Sequence, residues 1–416
     1  MAHTHRRRSE SLEAAEAALL DEMVLEILLR VKDVATLFRF ATTCKGWRHL
    51  LVADPSFLRC CLPEAACRSA PFPGFFVPQW RQAPCLVPAR PPVLGTDCRS
   101  LSSFIRNLDD PRFFDRSVPL ASCQRLLLVR LHDPKTDGLL AMCNMLVDTF
   151  DLLPPLEHDC PVHELDVISY AILTEADCSS SNDQHQQQCP PFFKVLAIGI
   201  CKHTLQYCLH TFSSVDKPRR WNMCAGSVAG ESIDDALWQH SAVVCCGMAR
   251  WLFGAGRGLF TFDVSAETGH VSVTELPREL YNSRLRHDEH FITADTKGRL
   301  RLFYLEKQGP RIDISTLYKD GHSWILKELN QQRDSKGLEY TCLGERSNML
   351  LIRDNHERVY VADVKTRVVQ EVKKWPHRCN LSRENIMPFE MDWPAFFIYR
   401  LGEAKSVENS SIATTY

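Results

Sequence analysis

Apolar positions change rhythm along the chain. Between residues 13 and 60 they recur at helical spacing, and Gly and Pro are nearly absent. Met23, Ile27 and Val31 fall at i, i+4 and i+8, with Leu20, Val24 and Leu28 in a second row beside them. Two adjacent rows make an apolar face broader than one short helix needs for a single neighbour. Asp33 is a good N-cap for a second helix carrying Val34, Leu37, Phe38 and Ala41. Thr42 or Thr43 can cap a third with Cys44, Trp47, Leu50 and Leu51, and Asp54-Pro55 opens a further short turn with Phe57 and Leu58. Residues 61–93 are rich in proline: Pro63, Pro71, Pro73, Pro78, Pro84, Pro88, Pro91 and Pro92. Proline fixes φ and removes a donor, so a surface linker is expected there and not helix or central strand. Over residues 94–401, most clearly from 120 onward, short runs alternate with period near 2 between Gly, Asp, Asn and Lys turns. That is the rhythm of an all-β domain. Residues 175–191 read as a polar loop insertion, and residues 1–12 and 402–416 as disordered tails.

The β region repeats itself. LFTFDVSAETGHVSVTELP (259–277) is similar to VYVADVKTRVVQEVKKWP (359–376): an alternating strand, an Asp-Val step at Asp263 or Asp363, a polar turn, a second strand. Residues 139–156 repeat this with Asn144-Met145 at the step, and residues 194–212 and 299–317 are looser copies. An Asp or Asn at the step can accept turn amides. Such hairpins at roughly 40–60-residue spacing fit a β-propeller of four-stranded blades, with a two-sheet β-sandwich pair as the structural alternative. The expected fold class is α+β multidomain: a small three-helix N-terminal unit at residues 13–60, then an all-β propeller domain at residues 94–401.

Three short helices bury too little surface for robust independent stability. With a proline-rich stretch separating them from the β-domain, a helix-packing recognition module awaiting a partner is the expectation.

Charge is balanced, 49 Lys+Arg against 51 Asp+Glu. That argues against nucleic acid or an anionic membrane as partner, since both are bound through clustered positive charge. No apolar run approaches the roughly 18 residues of a membrane span. Arg6, Arg7 and Arg8 precede Glu10, Glu13 and Glu16 without an apolar core, so no secretory signal is expected and the thiols should stay reduced. The 18 cysteines contain no C-x-x-C and read as small buried hydrophobes.

Chemical motifs are weak. Gly254, Gly256 and Gly258 precede a strand-like run, so a hairpin turn is expected and not a phosphate loop. His287, Asp288, Glu289 and His290 include metal-capable groups, but neighbours entering a strand point to opposite faces, and a solvated loop is the better reading. Ser227 is misplaced for a nucleophile elbow. The tryptophans at 221, 238, 251, 324, 375 and 393 read as blade packing. No catalytic residue, metal site or cofactor is expected.

Residues 19–58, LLDEMVLEILLRVKDVATLFRFATTCKGWRHLLVADPSFL, resemble the F-box. Leu19, Glu22, Ile27, Leu28, Arg30, Leu37, Cys44, Lys45, Trp47, Arg48, Leu50, Asp54, Pro55 and Phe57 stand at matching places. Leu20 and Lys32 replace two family prolines, and Thr43 a valine. Loss of the first proline removes a rigid helix start and is expected to lower partner affinity. The order of F-box, linker and degenerate β-repeats is similar to a large plant class with an F-box-associated, kelch-like β-domain. The resemblance implies a substrate receptor of an SCF-type cullin–RING ubiquitin ligase, non-catalytic itself, working in the cytoplasm or nucleus. It would dock on a Skp-type adaptor, and through it on cullin and RING subunits, by Leu19, Leu20, Met23, Ile27, Leu28, Val31, Leu37, Cys44, Trp47 and Leu50. A protein target would bind the β-domain, with Arg219, Arg220, Trp221, His287 and His290 as candidates because charge stands beside aromatics in turn-rich sequence. The alternatives are a non-ligase scaffold that binds only the adaptor, and a propeller lectin or enzyme with a helical cap.

Overall fold

The computed structural model of the chain forms two compact units, Met1–Pro71 with Met391–Tyr416, and Phe72–Glu390. It describes residues 23–31 and 34–53 of the first unit. Of the second it describes residues 74–390 apart from 80, 89–97, 106–107, 109, 111, 133–137, 157–166, 175–176, 178–191, 201–205, 228–232, 235–241, 256–257, 277–288, 295–299, 307–312, 321–322, 330–338, 344–348, 354–356, 364–367, 373–374 and 376–385. Both expected tails, Asp33, the Asp54-Pro55 turn and all of the 175–191 insertion except Asp177 lie outside the described residues.

In the first unit residues 23–29 are helical (α1), followed by Val34–Thr43 (α2) and Lys45–Ala53 (α3). Leu28, Leu37, Ala41 and Leu51 are buried, and Phe40 meets Trp47 edge to face at 5.1 Å. The Thr43 hydroxyl donates back to the Phe40 carbonyl instead of capping α3. Glu26 and Arg30 pair one turn apart on the exposed side of α1.

The second unit consists of six antiparallel sheets among the described residues. Sheet one pairs Gly74–Gln79 (β1), Gln82–Pro88 (β2) and Arg99–Ser100 (β3) with a C-terminal strand, Met387–Phe389 (β25). Sheet two holds Val118–Cys123 (β4), Leu126–Arg130 (β5), Leu140–Asn144 (β6) and Thr149–Leu152 (β7). Sheet three holds Val167–Thr174 (β8), Phe193–Ile200 (β9), Gln206–Ser213 (β10) and Asn222–Ser227 (β11). In sheet four, Ile233–Asp234 (β12) and Val243–Cys245 (β13) share the inner edge of Met248–Ala255 (β14), followed by Gly258–Ser265 (β15) and Val271–Glu275 (β16). Sheet five holds Glu289–Ala294 (β17), Leu300–Glu306 (β18), Asp313–Asp320 (β19) and Ser323–Leu329 (β20). Sheet six holds Glu339–Leu343 (β21), Met349–Arg353 (β22), Val359–Asp363 (β23) and Val368–Glu371 (β24). The innermost strands touch in sequence around a closed circle, β25 to β4, β8, β13, β17, β21 and back to β25. This is a β-propeller, each sheet a blade.

The core lies in layers between neighbouring blades. Trp251, Phe253 and Phe262 of blade four pack on Leu196, Ile198 and Leu209 of blade three. Met142 and Leu128 of blade two pack on Val195 and Phe212 of blade three. Phe75 and Val77 of blade one pack on Leu351 and Val361 of blade six. Burial explains the cysteines in part: Cys85, Cys123, Cys143 and Cys245 are buried, but Cys208 is disulfide-bonded, against the expectation of reduced thiols.

The expected linker at 61–93 is corrected over 74–88, which forms two strands of blade one. The prolines sit where a missing N–H is tolerated. Pro78 falls at the register shift between Val77 and Gln79, and Pro84 and Pro88 flank the Cys85 and Leu86 pairings to β3. The β-domain accordingly begins at Phe72 and not at residue 94. Gly74 pairs with Pro88 on one side and Phe389 on the other, and a Cβ there would collide with the Val87 carbonyl. Gly74→Ala is therefore expected to cost roughly 2 kcal/mol or more, because the β2 backbone at Val87–Pro88 has to move. A urea midpoint equal to that of the parent protein would show that the approach is looser than described.

Candidate functional site

The helical unit presents one apolar row. Met23 and Ile27, at i and i+4 on α1, are 59% and 58% exposed, and Leu29 is 42% exposed. Of the seven large apolar side chains exposed among the described residues, three belong to this one helix. Leu28 and Leu37 face inward, each almost wholly buried, so neither is available for a partner. Val31, Cys44, Trp47 and Leu50 are half-buried. Leu19 and Leu20 lie outside the described residues. The pattern alone did not single out Leu29, because it stands off both i, i+4 rows.

On the propeller, Arg219, Arg220 and Trp221 lie in the connection from β10 to β11, the third and fourth strands of blade three. Trp221 is half-buried against the layer between blades two and three, its ring 5.5 Å from Phe212. Its Nε1 donates to the Pro154 carbonyl at 2.9 Å. The Arg219 guanidinium sits 5.5 Å above the Phe212 ring and 3.8 Å from Asp151 of β7. Trp221 and Arg219 thus staple blade three to blade two, while Arg220 points into solvent. Both fix the entry to β11, whose six residues pair in register with β10.

His290 is the second residue of β17 and pairs with Tyr304, so it belongs to an inner strand and not to the expected loop. His287 lies outside the described residues. In an antiparallel blade, the turns after the first and third strands share one face, and the turns after the second and fourth share the other. Arg219–Trp221 follow a third strand, whereas His290 begins a first strand. Arg219–Trp221 and His290 therefore lie toward opposite faces of the propeller and do not form one surface.

Among the described residues no three His, Cys, Asp or Glu side chains gather to hold a metal. Burial pushes the Cys85 thiol up to about 11, partly opposed by the Gln79 amide that donates to its sulfur at 2.8 Å. Burial also pushes the Cys143 thiol upward. Both therefore stay protonated at neutral pH and are poor nucleophiles. Ala255 and Gly258 pair with one another as the facing ends of β14 and β15, and Gly258 opens a strand and not a helix, while Gly256 lies outside the described residues. Trp251 is fully buried and donates to the Ser169 hydroxyl, a packing role. No helix among the described residues is long and apolar enough to cross a membrane.

No family model matches the sequence, and no curated protein matches it. Solved structures with a similar course include an α-L-arabinanase of Penicillium chrysogenum complexed with arabinobiose, at 11% identity and a TM-score of 0.37, over 62% of this chain and 80% of that one. A fucose-specific lectin of Aleuria aurantia is similar at 10% identity and a TM-score of 0.34, over 61% of this chain and 76% of that one. At these values the likenesses carry no argument about function, and the propeller rests on its own strand topology.

Proposed function

We propose that the protein is a substrate receptor of an SCF-type cullin–RING ubiquitin ligase, with the helical unit docking on a Skp-type adaptor and the propeller holding a protein target. The observation that carries this reading is the exposed Met23–Ile27 row on a helix whose neighbour Leu28 is buried. A unit of this size that leaves large apolar side chains in water on one side is suited to packing against a partner. The F-box resemblance over residues 19–58 supplies the kind of partner. The receptor does no chemistry: it raises the effective concentration of the target beside a charged ubiquitin-conjugating enzyme.

The test is co-expression of the full chain with a Skp-type adaptor, followed by size-exclusion chromatography. Stoichiometric co-elution and a higher soluble yield are expected, since a partner that binds only the folded unit raises its apparent stability. Separate elution with unchanged yield would remove the reading.

A further inference from the structure

An outermost strand offers unpaired N–H and C=O groups along its free edge, and proteins normally guard such edges with charge or by keeping the strand short. Among the described residues, five of the six outer strands follow that rule. β3 is two residues long and contains Arg99, β7 contains Asp151, and β16 ends in Glu275. β20 contains Lys327 and Glu328, and β24 ends in Glu371. The exception is β11, Asn-Met-Cys-Ala-Gly-Ser over residues 222–227, six residues with no charge. Every residue of it except Gly226 is exposed, and Met223 is 46% exposed.

This edge is also held rigid. All six residues pair with β10. The Tyr207 ring lies so close over Gly226 that a Cβ there would fall 2.5 Å from its hydroxyl. At the other end Trp221 is tied to Pro154 and Arg219 to Asp151. A strand that is paired in register along its length, supported at both ends, uncharged and exposed is ready to pair with another chain without reorganising.

We infer that the outer edge of β11 is a docking edge for an extended segment of a partner protein, added as a further antiparallel strand and carrying carboxylates at its C-terminal end. The antiparallel sense matches every other pairing in the blade and is the more stable arrangement. It brings the C-terminal end of the incoming segment beside Asn222, close in the chain to the exposed Arg220, whereas Arg219 already faces Asp151. Asp216 and Lys217 are also exposed in the same connection and offset one another, so Arg220 carries the net positive charge of this end. Carboxylates complement this end, while the uncharged strand itself asks for uncharged residues opposite.

The probe is a synthetic peptide of six alternating threonines and valines followed by two aspartates, fluorescein-labelled and titrated with the full-length protein while anisotropy is read. Saturable binding below about 1 mM is expected. N-methylating one alternate set of peptide amides should abolish it, because that set faces the protein edge. Replacing the aspartates by lysines, or Arg220→Glu in the protein, should weaken it about fivefold. Ala225→Lys, which restores the missing edge charge, should weaken it about tenfold with the thermal transition unchanged. Absence of saturable binding, or binding indifferent to both methylation patterns, overturns the proposal. So does concentration-dependent dimerisation of the protein that Ala225→Lys abolishes, since the edge would then serve a second copy. The test contains no adaptor, so its failure leaves the receptor reading standing.

Discussion

Phe389→Ala is expected to destabilise the propeller by roughly 3–5 kcal/mol, the range for emptying a fully buried aromatic site. Against a total stability of about 5–15 kcal/mol this is a large share. The reason is position more than size. β25 has three residues and supplies the innermost strand of blade one, so the innermost circle of strands closes through it. Phe389 is wholly buried, meets the Phe76 ring edge to face at 5.3 Å, and pairs with Gly74. Its neighbour Pro388 accepts a hydrogen bond from the Ser122 hydroxyl of β4, which ties blade one to blade two. Losing the ring contact therefore loosens β25 within blade one and, through Pro388, its junction with blade two. A fall of roughly 5–7 °C in the thermal midpoint is the expected reading. A midpoint within one degree of the parent protein would mean that closure rests on other contacts.

The difficulty of seeing this closure in the sequence is physical. The segments at 139–156, 259–277 and 359–376 form hairpins of the third and fourth strands in blades two, four and six. They are equivalent positions, which is why they resemble one another most. The looser segments at 194–212 and 299–317 are hairpins of the second and third strands in blades three and five. Their environment differs, and so does their pattern. The step residue shows the same limit. Asn144 accepts the Leu146 amide in its turn, as the spacing suggests, whereas Asp263 is engaged by Arg250 and the Thr274 hydroxyl across the sheet. Blade one left no local signature at all. Its strands come from residues 74–100 and 387–389, and its prolines imitate a linker because the bulge and the strand ends that tolerate them exist only in the paired sheet. The openness of β11 is written in the sequence as six residues without charge, but that matters only once the strand is known to be outermost. At Trp221 and Arg219 the residue types are those of a binding surface, yet the geometry spends both on joining two blades.

The helical row leads to the second large effect. Met23→Glu combined with Ile27→Glu is expected to abolish capture of a Skp-type adaptor while the protein stays folded. Both side chains are more than half exposed in the free protein, so a carboxylate there removes little internal contact. Glutamate also keeps good helix propensity. In the complex the same positions would be covered, and fully burying a side chain of this size contributes about 1.5–3 kcal/mol. Two such losses, with the added penalty of desolvating two carboxylates without partners, amount to a loss of at least about 100-fold in affinity. Leu28→Glu is the informative contrast. Leu28 matches the F-box pattern equally well and lies in the neighbouring row, but it is buried within the free protein. That variant should lose helical structure, visible by circular dichroism, so its failure to bind an adaptor would say nothing about the interface. The sequence alone does not rank these residues, because two apolar rows look alike until packing covers one of them. Titration of the purified double variant with adaptor, beside circular dichroism of both variants, separates the cases. Affinity within threefold of the parent protein, in a double variant with native circular dichroism, would show that the Met23–Ile27 row is not the docking surface.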